Sequence, residues 1–198
     1  MSINHVVSVR PHWIFDRVPQ DAPLISLPTP MRNNGSLTVL ESFLLISLAR
    51  SLNARRIFEI GTFHGLTARN LVRNVEGAEI FTLDLVPCDF VDEPRIHAIR
   101  GHSVVYRGQL DDTDPLSVSS LWATFDLVLV DGGHDYETVV SDSGLAFALV
   151  DRTRPSAIVW HDFGNPQYPD VERAVRELHG SPVYTIEETQ LAVLLTGK

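Results

Sequence analysis

Short apolar runs that alternate with helical patterns are the feature that most constrains this fold. Such runs at Arg56–Ile60, 80–84, 96–99, 125–130 and 157–160 predict strands. The run 125–130, Phe-Asp-Leu-Val-Leu-Val, is apolar almost throughout, as is typical of strands buried on both faces. The predicted helices begin near Thr38, Leu66, Tyr136 and Pro169. The alternation predicts an α/β fold, with a doubly wound, mostly parallel sheet between two layers of helices.

The last two apolar runs predict an antiparallel hairpin. Val183–Ile186 and 191–195 are separated only by Glu-Glu-Thr-Gln. A parallel return would need a crossover of about a dozen residues or more. The sequence therefore predicts seven strands, of which the last two form a C-terminal hairpin.

The first 35 residues differ from the rest of the chain. They contain Pro11, Pro19, Pro23, Pro28 and Pro30 and show no sustained periodicity, which excludes a long helix or a central strand. They also carry the apolar triplet Trp13, Ile14 and Phe15, which a disordered tail rarely contains. We therefore predict an N-terminal arm or lid over 1–35, packed on a domain over 36–198. A flexible tail is the alternative for residues 1–9.

Composition and charge exclude several classes of protein. The net charge of −9 argues against a nucleic-acid partner, because phosphate binding needs a basic surface. No apolar run is long enough to span a bilayer, and the N-terminus lacks the apolar segment of a secretory signal. The single cysteine, Cys88, excludes an internal disulfide and a zinc site built on cysteines. We expect a cytoplasmic protein with no membrane partner, and a homodimer stays open as its assembly.

A glycine turn follows the first predicted strand, where open α/β sheets bind ligands. In the run 59–65, Glu-Ile-Gly-Thr-Phe-His-Gly, Gly61 permits a tight turn and Gly65 lets a helix begin close to a ligand. Asp84 ends the second strand, about twenty residues later, where an acid can accept hydrogen bonds from ribose hydroxyls. Together the turn and the acid indicate a cofactor that contains adenosine.

The densest group of polar residues follows the fourth and fifth predicted strands. The run 131–136 is Asp-Gly-Gly-His-Asp-Tyr, and His161 and Asp162 follow the next strand. If the two strands are neighbours, the side chains of Asp131, His134, His161 and Asp162 converge on one pocket. In the alternative interpretation, His134 caps its helix and Asp162 holds a loop.

These motifs resemble those of class I S-adenosylmethionine-dependent methyltransferases, in a small bacterial subgroup related to catechol and macrolide-sugar O-methyltransferases. The resemblance rests on the turn at 59–65, on Asp84 and on the run 125–136, with His-Asp-Phe at 161–163. It extends from about Thr38 to the C-terminus and implies a Rossmann-like, seven-stranded sheet whose last strand is antiparallel. The residues that it implies for cofactor binding are Glu59, Gly61, Thr62, Gly65, Asp84, Leu85, Ser103 and Asp131.

The resemblance also raises the question of a metal. In metal-dependent relatives, an aspartate at the position of Asp131 and an acidic or amide pair at the positions of His161 and Asp162 hold Mg²⁺. It therefore implies Asp131 and Asp162 as ligands, with His161 as the third. This sequence departs from the pattern in His161, and in His134, where catechol-type enzymes carry a lysine. Because Mg²⁺ prefers oxygen ligands, the histidine favours a first-row transition metal, and a metal-free site stays open.

The expected function is methyl transfer from S-adenosylmethionine to a hydroxyl oxygen of a small metabolite, a sugar or a phenol. The acceptor must lose its proton, which suits an imidazole that titrates near neutral pH or a bound metal. The candidate catalytic residues are therefore His134, Asp131 and His161. Trp13 and Phe15 are candidates for the acceptor pocket.

Three alternatives remain from the sequence. One is methylation of nitrogen, and another is a non-catalytic partner protein that binds the cofactor, against which the convergent histidines and aspartates argue. The third is a nicotinamide-dependent oxidoreductase, which predicts a Gly-x-Gly-x-x-Gly turn that this sequence lacks.

Overall fold

Eight strands form one mixed sheet in the computed structural model, which describes residues 6–27, 35–86, 88, 90, 92–103, 121–178 and 182–197. The strands are β1 (Val6–Val9), β2 (Arg56–Ile60), β3 (Glu79–Asp84), β4 (Ile96–Arg100), β5 (Leu127–Val130), β6 (Ser156–Trp160), β7 (Val183–Ile186) and β8 (Ala192–Thr196). The helices are α1 (His12–Phe15), α2 (Val39–Ser51), α3 (Leu66–Asn74), α4 (Tyr136–Leu149) and α5 (Pro169–Glu177). None of the helices in these ranges is long and apolar enough to cross a membrane.

The strand order β1-β7-β8-β6-β5-β2-β3-β4 changes direction between β2 and β5. From β2 the chain winds outward through β3 and β4, and from β5 it winds the other way through β6. The strands pair in parallel, except that β8 runs antiparallel to β6 and β7. In such a sheet the ligand crevice lies beyond the carboxyl ends of the strands at the point of reversal. That point is the junction of β2 and β5.

The sequence-based prediction of the fold is confirmed. All seven predicted strands form, and the C-terminal hairpin of β7 and β8 is antiparallel. Helix α3 has the predicted bounds, Leu66–Asn74, and α5 begins at Pro169. The sheet differs in having an eighth strand, β1, which comes from the proline-rich segment where no strand was predicted.

The described part of the N-terminal segment packs on one edge of the sheet. Strand β1 pairs in parallel with β7, an edge position that tolerates the nearby prolines. Ile14 is 1% exposed and belongs to the core, and Trp13 contacts Tyr184 with ring centroids 4.7 Å apart. Phe15 meets the ring of Phe43 edge-on. Trp13 and Phe15 thus pack against β7 and α2, and their contribution to the acceptor pocket stays a prediction. A lid function of residues 1–35 stays a prediction.

The core lies on both faces of the sheet, because successive side chains of each strand point to opposite sides. Ile57 in β2 and Val159 in β6 face the layer of α2 and α3. Phe58 and Trp160, their neighbours in sequence, face the layer of α4 and α5. The indole nitrogen of the buried Trp160 donates to Ser143 Oγ of α4 at 2.9 Å, which satisfies its one polar atom. Two covered faces explain why the strands are apolar throughout.

Replacing Ile14 by alanine tests whether the N-terminal segment is part of the folded core. Loss of a fully buried isoleucine should lower the free energy of unfolding by about 2–5 kcal/mol, measured by urea denaturation. Val7→Ala, at a position 39% exposed in β1, is the control and should change it by about 0.5 kcal/mol or less. Equal, small effects of both substitutions would show that the segment does not pack on the domain.

Candidate active site

A cleft of about 1010 Å³ opens at the carboxyl ends of the parallel strands, across the junction of β2 and β5. Gly35, Ser36 and Thr38, which precede α2, border it on one side, and Asn165, Gln167 and Tyr168, which precede α5, on the other. The predicted site residues that line it are Gly61, Asp84, Leu85, Ser103, Asp131, His134, His161 and Asp162. Both predicted groups, the cofactor turn and the polar cluster, therefore face the same space.

Three predicted cofactor residues do not line the cleft. Glu59 is 1% exposed and lies behind Thr62, which is itself buried. Gly65 begins α3 with a left-handed φ of 69°, and a Cβ there would lie 2.5 Å from the ring of Phe90. Glu59, Thr62 and Gly65 therefore lie on the side of the turn that faces away from the cleft. A direct contact of these residues with the cofactor stays a prediction.

The turn after β2 is possible only with glycine at position 61. Gly61 has a φ of 98°, and a Cβ there would lie 1.9 Å from the carbonyl oxygen of Asp131. The two strand ends are also joined by the Asp131 N–H, which donates to the Ile60 carbonyl oxygen at 2.8 Å. Because no side chain can be placed between them, Gly61 brings the end of β2 against the end of β5.

Asp84 organises the same turn through its carboxylate. Its Oδ2 accepts the backbone N–H groups of Thr62 at 2.8 Å and Phe63 at 2.9 Å, and its Oδ1 accepts that of Val86 at 2.9 Å. Each carboxylate oxygen has two lone pairs, so Oδ1 keeps acceptor capacity for a ligand hydroxyl. Phe63, held at a positive φ of 47°, exposes its ring at the mouth of the cleft.

A buried acid lies beneath the turn. Glu59 Oε2 accepts from the Thr82 hydroxyl at 2.6 Å, and Thr82 Oγ1 lies 2.6 Å from Thr62 Oγ1. Burial raises the pKa of Glu59 to about 8, and the charges of Asp131 and Asp84 act in the same direction, against the Thr82 hydrogen bond. At neutral pH Glu59 is therefore largely a neutral acid that braces the turn.

The polar cluster forms a continuous chain of hydrogen bonds. His134 Nε2 lies 2.9 Å from Asp162 Oδ2, and His161 Nδ1 lies 2.9 Å from Asp131 Oδ1 and 3.3 Å from Asp162 Oδ2. The His134 ring stacks on Tyr168 at 3.8 Å, and its side chain is 35% exposed. Asp162 adopts a left-handed φ of 58°, unusual for a residue other than glycine, and accepts from Asn165 Nδ2 at 2.6 Å. His134 is thus the reachable imidazole, and His161 lies behind it.

Glu41 completes the surroundings of His161 and was not predicted as a site residue. The sequence indicates it as the third residue of the α2 capping box, and the structure confirms that box with Thr38. Its Oε1 also accepts the backbone N–H of Gln190 at 2.8 Å, and its Oε2 lies 3.5 Å from His161 Nε2. Only the tertiary structure reveals this second function, because Glu41 lies far from His161 in the sequence.

The charge state of His161 follows from these contacts. Burial alone would lower its pKa, but hydrogen bonds to Asp131, Asp162 and Glu41 outweigh burial and raise the pKa to about 12. Burial raises the pKa of Asp131, whereas hydrogen bonds lower the pKa values of Asp162 and Glu41 despite their burial, that of Glu41 to about 2. The three carboxylates together therefore favour the imidazolium form of His161. An imidazole that already holds its proton is disfavoured as a base.

The donor set fits a divalent metal, with a change from the predicted ligands. Asp131, His134 and Asp162 each offer one ligand atom, and the three atoms lie within 4.8 Å of one another. His161 is outside this group, since its two nitrogens face carboxylates. Two oxygens and one imidazole nitrogen suit a first-row transition metal better than Mg²⁺.

Comparison with known proteins assigns the family. The sequence from 58 to 163, more than half of the chain, matches the family described as a methyltransferase domain. The chain belongs to this methyltransferase family. The match runs from β2 through β6 and so includes the glycine turn, Asp84 and the cluster at Asp131 and Asp162. The resemblance to class I S-adenosylmethionine-dependent methyltransferases is thereby confirmed. No curated protein sequence matches the chain significantly.

Solved methyltransferase structures share the fold of this domain. The MycE methyltransferase of mycinamycin biosynthesis, solved with Mg, SAH and mycinamycin VI, is 20% identical with a TM-score of 0.55 over 76% of this chain. The match covers 46% of the MycE chain, so this chain spans less than half of MycE. An O-methyltransferase of Bacillus cereus with SAH is 15% identical (TM-score 0.57, 84% of each chain). TomG of Streptomyces achromogenes with SAM is 22% identical (TM-score 0.55, 94% of this chain and 86% of TomG).

Replacing Glu59 by glutamine should change how the stability of this protein depends on pH. Because the pKa of Glu59 is raised on folding, the folded state holds the proton between pH 4.5 and about 8 and the unfolded state releases it. Stability contributed by this group is therefore lost as the pH rises, by about 1.4 kcal/mol per pH unit across that window. Glu59→Gln keeps the acceptor for Thr82 and removes this loss.

We expect Glu59→Gln to be more stable relative to the native protein at pH 8 than at pH 5, measured by urea denaturation without ligand. The exposed Glu76→Gln is the matched control and should show no such trend. A difference between Glu59→Gln and the native protein that is independent of pH would contradict a protonated Glu59.

Proposed function

We propose that the protein transfers a methyl group from S-adenosylmethionine to a hydroxyl oxygen of a small molecule. One observation carries the proposal: the glycine turn held by Asp84 and the His134–Asp162 pair face a single cleft in a chain of the methyltransferase family. One side of the cleft is suited to a nucleoside, and the other carries a group that can take a proton. Solved relatives that bind SAM or SAH share the fold and support this assignment.

The turn and the acid would hold the cofactor. Asp84 has acceptor capacity left on Oδ1 for the ribose hydroxyls, and Leu85 and Ser103 line the adjoining wall. Gly61 lets the turn lie directly against Asp131, beside which the methionine part would pass. S-adenosylmethionine supplies a methyl group already activated by its sulfonium. Alignment of the acceptor with that group can contribute roughly 7–11 kcal/mol in favourable cases.

His134 is the candidate base for the acceptor hydroxyl. When its Nε2–H donates to Asp162 Oδ2, the neutral ring carries its lone pair on Nδ1, which can take a proton. The ionised Asp162 stabilises the imidazolium that forms, as in other carboxylate–histidine pairs. The stack on Tyr168 holds the ring plane. His161 serves as a positioning residue, since it fixes Asp131 and Asp162 through one nitrogen.

A divalent metal is the alternative to a free imidazole. Asp131, His134 and Asp162 would hold it, and it would lower the pKa of the acceptor hydroxyl and orient the hydroxyl. The two arrangements predict opposite results. Treatment with a chelator abolishes turnover in the metal arrangement and leaves it unchanged in the metal-free one. Titration calorimetry with Mn²⁺ on the native protein and on Asp162→Asn gives a second readout that needs no acceptor.

Other features of the function stay predictions from the sequence. A small-molecule acceptor, a cytoplasmic location, the lack of a nucleic-acid partner and a homodimeric assembly belong to this group. Methylation of nitrogen and a non-catalytic, cofactor-binding function are the remaining alternatives. A turnover assay on candidate acceptors separates them from O-methylation.

Replacing Asp84 by alanine should weaken binding of S-adenosylhomocysteine by about 1–3 kcal/mol, because charge-assisted hydrogen bonds to the ligand and to the turn are lost. Isothermal titration calorimetry measures the change. Asp92→Ala, an exposed acid outside the cleft, is the control and should bind normally. Tight binding of a nicotinamide cofactor together with no binding of S-adenosylhomocysteine would overturn the assignment.

Replacing His134 by alanine should reduce kcat by a factor of about 10² to 10⁴ while binding of S-adenosylhomocysteine stays within a few-fold. The reason is that a base acts on the acceptor and not on the cofactor. His12→Ala, an exposed histidine in α1, is the matched control with native kcat. Native turnover of the His134→Ala variant on an identified acceptor would show that this imidazole is not the base.

A further inference from the structure

Asp142 is a buried carboxylate with an unused acceptor in the wall of the cleft. Asp142 is 2% exposed and lies on the inner face of α4, where Val139, Ala146 and Leu149 form core contacts. Within the part of the chain that the structure describes, Asp142 Oδ1 has no hydrogen-bond donor. A buried acceptor without a donor is destabilising, and such atoms are rare in folded proteins. The acid is nevertheless among the residues that line the cleft.

Neighbouring residues are arranged to accommodate this carboxylate. A Cβ at Gly132 would lie 2.6 Å from Asp142 Oδ2, so only glycine at that position leaves room for it. Ser103, 5% exposed and three residues beyond the end of β4, donates a hydrogen bond to the same carboxyl group. Burial raises the pKa of Asp142, and the Ser103 hydrogen bond opposes that rise. One glycine and one serine from two different strand ends thus place the acid.

The location of Asp142 matches the base end of a bound nucleoside. Asp84, the candidate ribose acid, ends β3, and its carbonyl oxygen accepts from the Gly101 N–H at 2.9 Å, just before Ser103. Ile60 and Leu83 supply apolar wall in the same cleft. A nucleoside held at Asp84 by its ribose can therefore direct a planar base over apolar side chains toward Ser103 and Asp142.

We propose that Asp142, placed by Ser103 and Gly132, recognises adenine by accepting a hydrogen bond from its exocyclic amino group on Oδ1. The inference rests on the proposed use of S-adenosylmethionine and adds the residue that selects the base. An amino group is a donor and satisfies the orphaned oxygen. A 6-oxo purine presents an acceptor at the same position, and two facing acceptors repel.

The ligand pair S-adenosylhomocysteine and S-inosylhomocysteine tests the inference on the native protein. The two differ at one edge of the purine, where the 6-amino group and bare N1 of the first are a carbonyl oxygen and an N1–H in the second. We expect calorimetry to give a Kd at least about tenfold larger for S-inosylhomocysteine, the usual range for a lost buried hydrogen bond. Equal Kd values would overturn the proposal, and this comparison does not depend on any variant folding.

The variant Asp142→Asn tests whether Asp142 causes the preference for S-adenosylhomocysteine over S-inosylhomocysteine. Its amide can turn its NH₂ toward a 6-oxo group, so the ratio of the two Kd values should fall toward one. Glu137→Gln, the same change of charge at an exposed position of the same helix, is the control and should keep the native ratio. A native ratio in Asp142→Asn, with a native unfolding curve, would assign the preference to another residue and contradict the proposal.

Failure of this inference differs from failure of the proposed function. If the native protein binds both ligands equally tightly, the cofactor assignment stands and Asp142 is not the selecting residue. If the native protein binds neither ligand, the proposed function itself is wrong, and the inference is wrong with it.

Discussion

The close approach of β2 and β5 at their carboxyl ends is the constraint on which the site depends. Gly61 has a positive φ and leaves no space for a Cβ against the Asp131 carbonyl oxygen. This contact brings the turn of the first strand beside the polar residues that follow the fourth. The topology adds β3 on one side and β6 on the other, so Asp84 and Asp162 reach the same cleft. Any side chain at position 61 would push the turn after β2 away from the polar residues that follow β5.

Electrostatics then distinguishes two histidines that look equivalent in the sequence. His161 is enclosed by Glu41, Asp131 and Asp162 and holds its proton. Within the described residues, His134 pairs with the carboxylate of Asp162, stacks on Tyr168 and is partly exposed. Taking a proton requires a nitrogen that the acceptor can reach, and of the two side chains that of His134 is 35% exposed and that of His161 7%. Three carboxylates surround the single positive charge of His161, so the cluster is also compatible with a divalent cation.

The sequence predicts the fold well because hydrophobic periodicity and chain connectivity are local signals. The apolar runs, the capping box at Thr38 and the short link between β7 and β8 each determine one element or one pairing. Strand β1 was not predicted because its four residues, Val-Val-Ser-Val, are too few to show a periodicity. Its pairing with β7 is a long-range contact. The packing of Trp13 and Phe15 could not be predicted for the same reason, because an aromatic residue type does not show which surface the side chain contacts.

The residues of the site fall into two similar groups, those with a local sequence signal and those placed by tertiary structure. Glycine turns and acids at strand ends are local, so Gly61, Asp84, Asp131 and His134 could be predicted as residues of one cleft. Glu41 could not, because it lies far from the cluster in the sequence and its capping box explains it locally. Tyr168 and Asp142 could not, because the sequence does not show that their side chains line the cleft. Asp142 is the partial exception, since a lone acid on an otherwise apolar helix face is a signal that the sequence contains.

A crystal structure of the protein grown with S-adenosylhomocysteine tests the central claim most directly. We expect ribose hydroxyls on the Asp84 carboxylate and the adenine beside Ser103. The sulfur atom should face the side of the cleft formed by Asp131, His134 and Asp162. Density for the ligand outside this cleft, or a cleft that stays empty at saturating ligand, would contradict the account.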